Sequence, residues 1–486
     1  MGRSYGVGAG RGSVPDGVRP VADTADMSTL PATLQRDLAD LFGDGWLADP
    51  SERLAYSFDN SRRQALPDAV ALPTSPDQVV ALVRACRAHR VPVVARGRGT
   101  NTTGASVPVD GGVVVSFERM DRILDVRPGD RCAVVEPGVL NGDLQAALQP
   151  HGLFWPPDPT SAAFSTIGGN LACNAGGPRA VKYGASRDNV LALTAVTGAG
   201  ELITCGTATT KGATGYDLHR LIVGSEGTLA LIVEASLRLT PAPASRRALR
   251  AIYRDVASAA QAVARLMAQP VTPSMLEFMD ADAVRLARDV GGADLPRDAG
   301  ALLMIEADGD DETLPHSIEA LMRAAGGDGL VSLDDAADEV AREKLWAARK
   351  ALSPALRTLA PGKINEDVVV PVSRIPELVD GVQLLSREFA LPIVCFGHAG
   401  NGNLHVNLLH DPADAAQTAR AHAALARVFG LTLSLGGTLS GEHGIGLAKR
   451  DFMPQAVTPP TLALMRQLKS VFDPDGILNP GKLLPP

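Results

Sequence analysis

Two short stretches of this 486-residue chain hold side chains of the types that bind transition metals in proteins. In the first stretch, His398 and His405 lie on either side of a run of small and polar residues, 399–403. In the second stretch, Glu442 and His443 stand between glycines. Two imidazoles and one carboxylate form a metal-binding set that leaves coordination positions open for a substrate. The sequence therefore predicts a metal site made of His398, His405 and Glu442.

The first stretch has the pattern of a β-hairpin. Residues 393–396 and 404–409 are apolar, strand-like runs, and the Gly-Asn-Gly segment between them favours a turn. In an unbroken strand the two histidines would point to opposite faces, so the turn is what brings both imidazoles to one side. Asn407 shares a face with His405. The alternative to a metal site is that the histidines are packed core residues. For the segment with Glu442 and His443, the alternative is a simple glycine-rich turn. Zn²⁺ foremost, and Mn²⁺, Fe²⁺ or Co²⁺ as well, would suit the predicted ligands.

Three glycine-rich loops lie in the first half of the chain. The first, residues 97–104, follows a predicted helix (77–89) and strand (91–96), and its glycines would let backbone N–H groups approach a diphosphate. The GxGxxG spacing of nicotinamide-binding folds is absent, because Thr102 stands where the third glycine would fall. Alone, this loop could be a plain turn. Two further loops, within 156–184 and at 224–228, flank strand-like runs, and three such loops would surround one extended ligand.

The order of these motifs resembles the FAD-binding domain of the vanillyl-alcohol oxidase superfamily. The resemblance rests on Arg96-Gly97-x-Gly99-Thr100, Asp158-Pro159-x-Ser161, Ile167-Gly168-Gly169 and Asn174-Ala175-Gly176-Gly177. The stretch from His398 to Asn407, with Glu442-His443, is similar to one branch, the metal-dependent D-2-hydroxyacid dehydrogenases. That branch includes D-lactate dehydrogenase, D-2-hydroxyglutarate dehydrogenase and the glycolate oxidase flavin subunit.

The resemblance implies an α+β fold in two main parts. One part is a two-part FAD-binding domain of the vanillyl-alcohol oxidase (PCMH) type, and the other is an α+β cap, or substrate, domain with an antiparallel sheet. Strand-like and helical runs that alternate beyond residue 243 also predict a second α+β unit. We expect a disordered leader at 1–27, the FAD-binding domain at 28–244, the cap domain with the metal site at 245–450, and a C-terminal segment at 451–486 that returns to the FAD-binding domain.

The same resemblance implies which residues contact FAD. They come from the three loops, from the strand after the third loop and from a closing motif near the C-terminus: Arg96, Gly97, Arg98, Gly99, Thr100, Asn101, Gly104, Pro157, Asp158, Ser161, Gly168, Gly169, Asn174, Gly177, Gly224, Glu226, Gly227, Ile232 and Asn479.

A predicted helix over 336–352 carries the candidate substrate contacts. Arg349 and Ser353, one turn apart, share a face and could present a cation and a hydroxyl to a carboxylate. An ordinary solvated helix face is the alternative. The resemblance implies that both residues bind substrate, together with Lys363 and Asn407. Asn401 departs from the family pattern, which has Asp there.

The resemblance also implies the reaction. The metal would act as a Lewis acid on the substrate's 2-hydroxyl and carboxylate, and His443 would take the hydroxyl proton as general base. Hydride would pass from C2 to FAD, and electrons would pass on to a quinone, a cytochrome or an electron-transferring flavoprotein. Ether-forming synthesis within the same superfamily is disfavoured, because its histidine triplet is absent from the sequence. A flavin- or metal-binding module without turnover is the remaining alternative.

Composition limits the partners and the compartment. A net charge of -8 argues against a general nucleic-acid surface, which needs a basic face. Five cysteines without a CxxC pair predict neither a disulfide framework nor a thiolate metal site, which favours a reducing, cytoplasmic setting. The sequence holds no long apolar run, so contact with the inner membrane would be peripheral. A homodimer is compatible with the sequence.

Overall fold

The computed structural model describes residues 30–336 and 339–486, so the predicted leader at 1–27 lies outside the described residues. The strands are β1 (Trp46–Leu47), β2 (Ala69–Ala71), β3 (Val93–Arg96), β4 (Val113–Ser116), β5 (Ile123–Arg127), β6 (Cys132–Val135), β7 (Leu153–Phe154), β8 (Val190–Thr197), β9 (Leu202–Gly206), β10 (Ala230–Arg238), β11 (Thr240–Pro241), β12 (Ser245–Tyr253), β13 (Met275–Asp280), β14 (Ala301–Gly309), β15 (Leu330–Ala336), β16 (Gly362–Val369), β17 (Ile393–His398) and β18 (Asn403–His410).

The helices connect and cover these strands. They are α1 (Ala32–Phe42), α2 (Pro50–Arg53), α3 (Pro76–His89), α4 (Asn141–Leu148), α5 (Ile167–Cys173), α6 (Ala180–Tyr183), α7 (Leu218–Ile222), α8 (Val256–Ala268), α9 (Ala281–Asp289), α10 (Leu314–Ala325), α11 (Glu339–Ala355), α12 (Ile375–Phe389), α13 (Ala415–Ser434), α14 (Met453–Ala456) and α15 (Pro459–Phe472). None of the helices in the described chain has both the length and the apolar character of a membrane span.

The first half of the chain contains two larger sheets and a short antiparallel pair of β7 and β11. One has the strand order β1-β2-β4-β3, with β2, β4 and β3 parallel, and the other is antiparallel with the order β5-β6-β10-β8-β9. Helix α3 starts where the Ser75 hydroxyl accepts a hydrogen bond from the Gln78 N–H, and its buried residues recur at helical spacing. That burial fixes α3 beside β3, so the first glycine-rich loop leaves the end of β3 in a defined direction.

The second half is built on one seven-stranded sheet with the order β15-β12-β14-β13-β17-β18-β16, in which every neighbouring pair is antiparallel. Helices α8, α10, α12 and α13 pack on one face, against residues such as Ala251, Phe278 and Cys395. Helices α9 and α11 pack on the other face, against Met279 and Phe396. Strand residues therefore alternate between two apolar layers. This arrangement confirms the predicted α+β class.

The predicted hairpin is present as β17 and β18. Phe396 pairs with His405 and His398 pairs with Asn403, so both histidines lie on the face of the sheet that α9 and α11 cover. The turn needs glycine at position 402, where φ is +73° and a Cβ atom would lie 1.9 Å from the Val370 carbonyl oxygen. The turn therefore sets the register that brings the two imidazoles together.

Two elements of this sheet differ from the sequence prediction. The sequence predicts a strand over 367–370, but β16 begins at Gly362, which puts Asp367 inside a paired strand, opposite His405. Strand β13, which was not predicted, pairs with β17 and sets Glu277 opposite His398. Helix α11 ends at Ala355, three residues beyond the predicted end at Leu352. The first two differences add carboxylates to the candidate metal site.

The C-terminal segment lies against the first half of the chain. After α15, Leu478 pairs with Val93 of β3, and the Asn479 N–H donates to the Val93 carbonyl oxygen at 2.8 Å. This contact fixes the closing motif beside the first glycine-rich loop.

Phe429 of α13 tests the packing of the cap core. Its side chain is fully buried and its ring lies 4.7 Å from that of Phe452, so Phe429→Ala should lower the free energy of unfolding by about 3–5 kcal/mol. Urea denaturation followed by circular dichroism measures this loss. Leu384→Ala, at an exposed position of α12, is the control and should change stability little. Equal stability of the two variants would contradict the described core.

Candidate metal centre and flavin loops

His398, His405 and Glu442 form a compact cluster of metal-ligand atoms. One ligand atom from each residue lies within 4.8 Å of the other two. His398 Nε2 lies 3.3 Å from Glu442 Oε1, and His405 Nε2 lies 3.9 Å from the same oxygen. The two imidazole rings stand nearly perpendicular, with centroids 5.2 Å apart. The structure therefore brings together all three predicted metal ligands, although the hairpin and Glu442 are far apart in sequence.

Glu277 supports this cluster from the neighbouring strand. Its Oε1 shares a hydrogen bond with His398 Nδ1, and its Oε2 accepts a hydrogen bond of 2.8 Å from Arg349 Nε. A carboxylate on the second imidazole nitrogen fixes the ring orientation and leaves Nε2 to face Glu442. Glu277 was absent from the predicted site residues. The available signal was an acidic residue within the otherwise apolar run Met275-Leu276-Glu277-Phe278-Met279.

The electrostatics of the cluster favour positive charge. Burial alone would lower the pKa of His398, but Glu277 and Glu442 raise it to about 10. Burial would raise the pKa of Glu442, but His398 lowers it to about 2. Burial, together with His398 and His443, lowers the pKa of His405 to about 3. A protonated imidazole is thus held between two carboxylates while a neutral imidazole lies beside it.

These residues fit a divalent cation. A neutral His405 offers one nitrogen lone pair, and its Nε2 lies on the side of Glu442, 3.9 Å from Oε1. Two imidazoles and one carboxylate are a set that Zn²⁺, Mn²⁺, Fe²⁺ and Co²⁺ accept. Asn401, where the sequence departs from the family pattern, is exposed in the turn, whereas both histidine ligands are buried.

Asp367 holds the segment that carries Glu442 and His443. We call residues 440–448 the Glu442 loop. Asp367 Oδ2 accepts hydrogen bonds from the N–H groups of Gly441, Glu442 and His443, at 2.8, 2.6 and 2.9 Å. Lys449, which is fully buried, forms an ion pair with Asp367. Burial would raise the pKa of Asp367, but His443, Lys449 and these N–H donors hold it well below its usual range.

His443 lies between Asp367 and His405. Its Nδ1 is 3.4 Å from Asp367 Oδ1, and its ring stacks on that of His405 with centroids 5.3 Å apart and planes 20° apart. The predicted base therefore lies beside a predicted metal ligand. Asp367 was absent from the predicted site residues, because no local pattern indicates that its strand faces the Glu442 loop.

The three glycine-rich loops converge near this cluster. A Cβ on Gly97 in the first loop would lie 2.5 Å from Oγ1 of Thr166 in the second loop. A Cβ on Gly224 in the third loop would lie 3.2 Å from the Cβ atom of Asn174 in the second loop. A Cβ on Gly176 would lie 3.0 Å from Glu442 Oε2. The second loop therefore reaches the metal cluster directly.

Buried polar atoms without partners in the described chain occur in these same loops. Ser165 Oγ, Asn170 Nδ2 and Ser225 Oγ are among them. Buried polar groups are nearly always hydrogen-bonded, so unpartnered ones call for a ligand or water. The close approach of glycine backbones and these open hydrogen-bonding positions together fit an extended ligand such as FAD.

Six predicted flavin contacts direct side-chain atoms to protein partners, and two of them, Asp158 and Asn174, accept the N–H groups of residues 179 and 187. Arg96 donates to the carbonyl oxygens of Phe58 and Ala55, and Asn101 Nδ2 donates to the His443 carbonyl oxygen at 3.2 Å. The other two engage backbone groups: the Glu226 carboxylate accepts the N–H groups of residues 445 and 446, and the Asn479 amide donates to the carbonyl oxygens of residues 105 and 226. These side chains join the loops to one another and to the Glu442 loop.

The predicted substrate contacts lie on or over the same sheet face. Among the described residues Arg349 donates only through Nε, and its guanidinium lies 4.5 Å from the centre of the Phe396 ring. Asn407 is buried, and its Nδ2 donates to the carbonyl oxygens of Val394 and His405. Lys363 pairs with Leu409 further along β16 and β18, and burial lowers its pKa. The side chain of Ser353 lies outside the described residues.

The comparisons with known proteins agree with this geometry. Residues 67–206 match the FAD binding domain family, and residues 242–483 match the family of FAD linked oxidases, C-terminal domain. The chain is 39% identical over 432 residues to the glycolate oxidase subunit GlcD of Bacillus subtilis (strain 168), which covers 89% of this chain and 92% of that protein. It is 35% identical over 454 residues to the D-2-hydroxyglutarate dehydrogenase of Stutzerimonas stutzeri (strain A1501), which covers 90% of this chain and 95% of that protein.

The fold of the chain is also similar to that of solved structures. The crystal structure of p-cresol methylhydroxylase with substrate bound matches with a TM-score of 0.79 at 17% identity, over 93% of this chain and 96% of that chain. Fold, loops and sequence matches together define a flavoprotein oxidoreductase with an FAD-binding domain. The chain belongs to the FAD-linked oxidases, as the order of its glycine-rich motifs predicted, and it shares its fold with p-cresol methylhydroxylase.

Replacement of Asp367 by Asn should loosen the Glu442 loop. A carboxamide is uncharged and has one acceptor oxygen in place of two, so it cannot serve both Lys449 and the N–H groups of Gly441, Glu442 and His443. Hydrogen exchange at these amides should become at least about tenfold faster, as mass spectrometry of peptides from this segment would measure.

Asp280→Asn is the matched control for this experiment. Asp280 is also a buried carboxylate of the cap sheet, and it accepts the N–H groups of Ala283 and Cys395. Its replacement should speed exchange near those residues and leave the Glu442 loop unchanged. Unaltered exchange of the loop in Asp367→Asn would show that Asp367 does not hold it.

Proposed function

We propose that this FAD-linked oxidoreductase oxidises a D-2-hydroxyacid to the 2-oxoacid and depends on a divalent metal, with D-2-hydroxyglutarate and D-lactate as the leading substrates. The observation that carries the proposal is the contact between the second glycine-rich loop and Glu442. It sets the flavin loops beside a cluster of metal-ligand atoms. The two similar proteins described above are named for glycolate and for D-2-hydroxyglutarate, which supports a small hydroxyacid as substrate.

When bound, the metal supplies Lewis-acid polarisation of the substrate's 2-hydroxyl, and FAD accepts the hydride from C2. The residues of the chain prepare this step. His398, His405 and Glu442 would hold the metal, and Glu277 keeps His398 in the required orientation. His443 is the proposed general base: its Nδ1 faces Asp367, which leaves Nε2 to take the hydroxyl proton.

Arg349 and Lys363, over the same face of the sheet, are the proposed partners of the substrate's carboxylates. Since Arg349 uses only Nε for Glu277 within the described chain, its terminal N–H groups can bind a carboxylate. Lys363 offers a second cation on β16, and Asn407 a polar contact beside His405. One cation suffices for D-lactate, whereas two would suit the two carboxylates of D-2-hydroxyglutarate. We assign Ser353 to this group from its place in α11 one turn after Arg349.

We further propose that electrons leave the flavin for an external acceptor, such as a quinone, a cytochrome or an electron-transferring flavoprotein. The five cysteines are free, in keeping with a reducing compartment such as the cytoplasm. A flavin- and metal-binding module without turnover is the competing proposal, and the next experiment separates the two.

Anaerobic mixing of the FAD-loaded, metal-loaded protein with single 2-hydroxyacids tests the proposed reaction. D-2-Hydroxyglutarate, D-lactate, D-malate and glycolate should be compared, and at least one D-2-hydroxyacid should bleach the flavin absorbance. His443→Ala should retain FAD and lose reduction by at least about a hundredfold, because the base is gone. His422→Ala, on α13, is the control and should react like the parent protein. If no hydroxyacid bleaches the flavin, the proposed activity is wrong; if His443→Ala loses FAD, His443 has a structural role.

Replacement of Glu277 by Gln tests the proposed metal site through the residue that orients His398. The hydrogen bond that orients His398 weakens, so metal affinity should fall by about 10–100-fold. Competition with a chelator, followed by elemental analysis, measures the change. Glu306→Gln is the matched control, because Glu306 is a buried glutamate of the neighbouring strand that pairs with Arg342. Equal metal retention by both variants would contradict the assigned ligands.

A further inference from the structure

The backbone of the Glu442 loop is held by partners from both halves of the chain. Asp367, in the seven-stranded sheet, accepts the N–H groups of residues 441–443. Ser440 Oγ accepts the Gly444 N–H at 3.0 Å. Glu226, in the third flavin loop, accepts the N–H groups of residues 445 and 446, at 2.5 and 2.8 Å. The Thr103 carbonyl oxygen, in the first flavin loop, accepts those of residues 447 and 448, at 2.8 and 3.1 Å. Every N–H from 441 to 448 is thus accounted for.

Glu226 is itself firmly placed. Its φ is +55°, a left-handed conformation that non-glycine residues seldom adopt, and its N–H donates to the Ala172 carbonyl oxygen at 2.9 Å. Its own carbonyl oxygen accepts a hydrogen bond from Asn479 at 2.6 Å. The third loop, the second loop and the C-terminal segment therefore fix the backbone from which the carboxylate extends.

The contact with the Glu442 loop is also tight in shape. Gly444 has φ +85°, and a Cβ atom there would lie 2.5 Å from Glu226 Oε1. Only glycine fits this position, directly after His443. The position of Glu226 consequently determines where Glu442 and His443 can lie.

We propose that Glu226 is a positioning residue that couples the flavin site to the metal site, so that bound FAD tightens metal binding and bound metal tightens FAD binding. This inference rests on the metal-dependent function proposed above. FAD that orders the second and third loops orders Glu226, and Glu226 orders the loop that supplies Glu442. Coupling of two sites through one shared element is reciprocal, and values between 5-fold and 150-fold are typical.

Glu226→Gln is the direct variant. A carboxamide offers a single acceptor oxygen and turns an NH₂ group toward a backbone N–H, so one of the two loop hydrogen bonds is lost. Gly444→Ala breaks the same contact from the other side. Glu136→Gln is the matched control, because Glu136 is a buried glutamate in the first half of the chain that binds Arg122 and not the Glu442 loop.

The experiment measures the dissociation constant of FAD by flavin fluorescence, in chelator-treated protein and in the same protein with saturating Zn²⁺. In the parent protein and in Glu136→Gln, Zn²⁺ should tighten FAD binding by at least about fivefold. In Glu226→Gln this ratio should fall to about one, and if that variant does not fold, the same loss in Gly444→Ala supports the proposal.

Two outcomes would overturn the coupling. If the parent protein binds Zn²⁺ but the FAD dissociation constant does not change, the metal site stands and the coupling is wrong. If Glu226→Gln or Gly444→Ala keeps the full ratio, Glu226 is not the link. A parent protein that binds no divalent metal would instead overturn the proposed function, and the coupling with it.

Discussion

The site depends on a loop whose backbone hydrogen bonds are supplied almost entirely by residues outside it. The N–H groups around Glu442 and His443 lie outside any helix or sheet, and Asp367 and Glu226 accept most of them. An unpaired buried N–H group costs as much as a lost hydrogen bond, so two carboxylates confine the loop to one conformation. The chain thereby positions the proposed metal ligand Glu442 and the proposed base His443 on a segment with little regular structure. The glycines of the loop allow this close approach.

Charge balance within the buried site follows from the same arrangement. Asp367 and Glu277 could not stay ionised alone in the interior, and each is paired with a cation, Lys449 and Arg349 respectively. Within the described residues, the remaining carboxylate of the cluster, Glu442, forms ion pairs with imidazoles and with no Lys or Arg. A divalent metal is the natural complement of that group. The pairing of the sheet strands sets Glu277 opposite His398 and Asp367 opposite His405. This register keeps the buried charged groups next to their partners.

The sequence predicted the parts of this site that are encoded locally. The hairpin with His398 and His405 follows from two apolar, strand-like runs around a glycine-rich turn, and the flavin loops follow from their order along the chain. Glu277 and Asp367 could not be found in this way, because each acts across a strand pairing between distant segments. Glu277 lies 121 residues before His398, and no local pattern reports that β13 and β17 are neighbours. Glu226 was predicted as a flavin contact, and the structure shows its carboxylate on the Glu442 loop, a contact that no spacing reveals.

A kinetic isotope effect on flavin reduction would show whether the metal cluster holds a hydroxyacid with its C2 hydrogen directed at the flavin. The metal-loaded protein would be mixed anaerobically with the most reactive D-2-hydroxyacid, either protiated or deuterated at C2, and flavin absorbance followed in a single turnover. The account predicts slower bleaching with the deuterated substrate, and none after the metal is chelated. Equal rates for the two substrates, together with bleaching that survives metal removal, would contradict it.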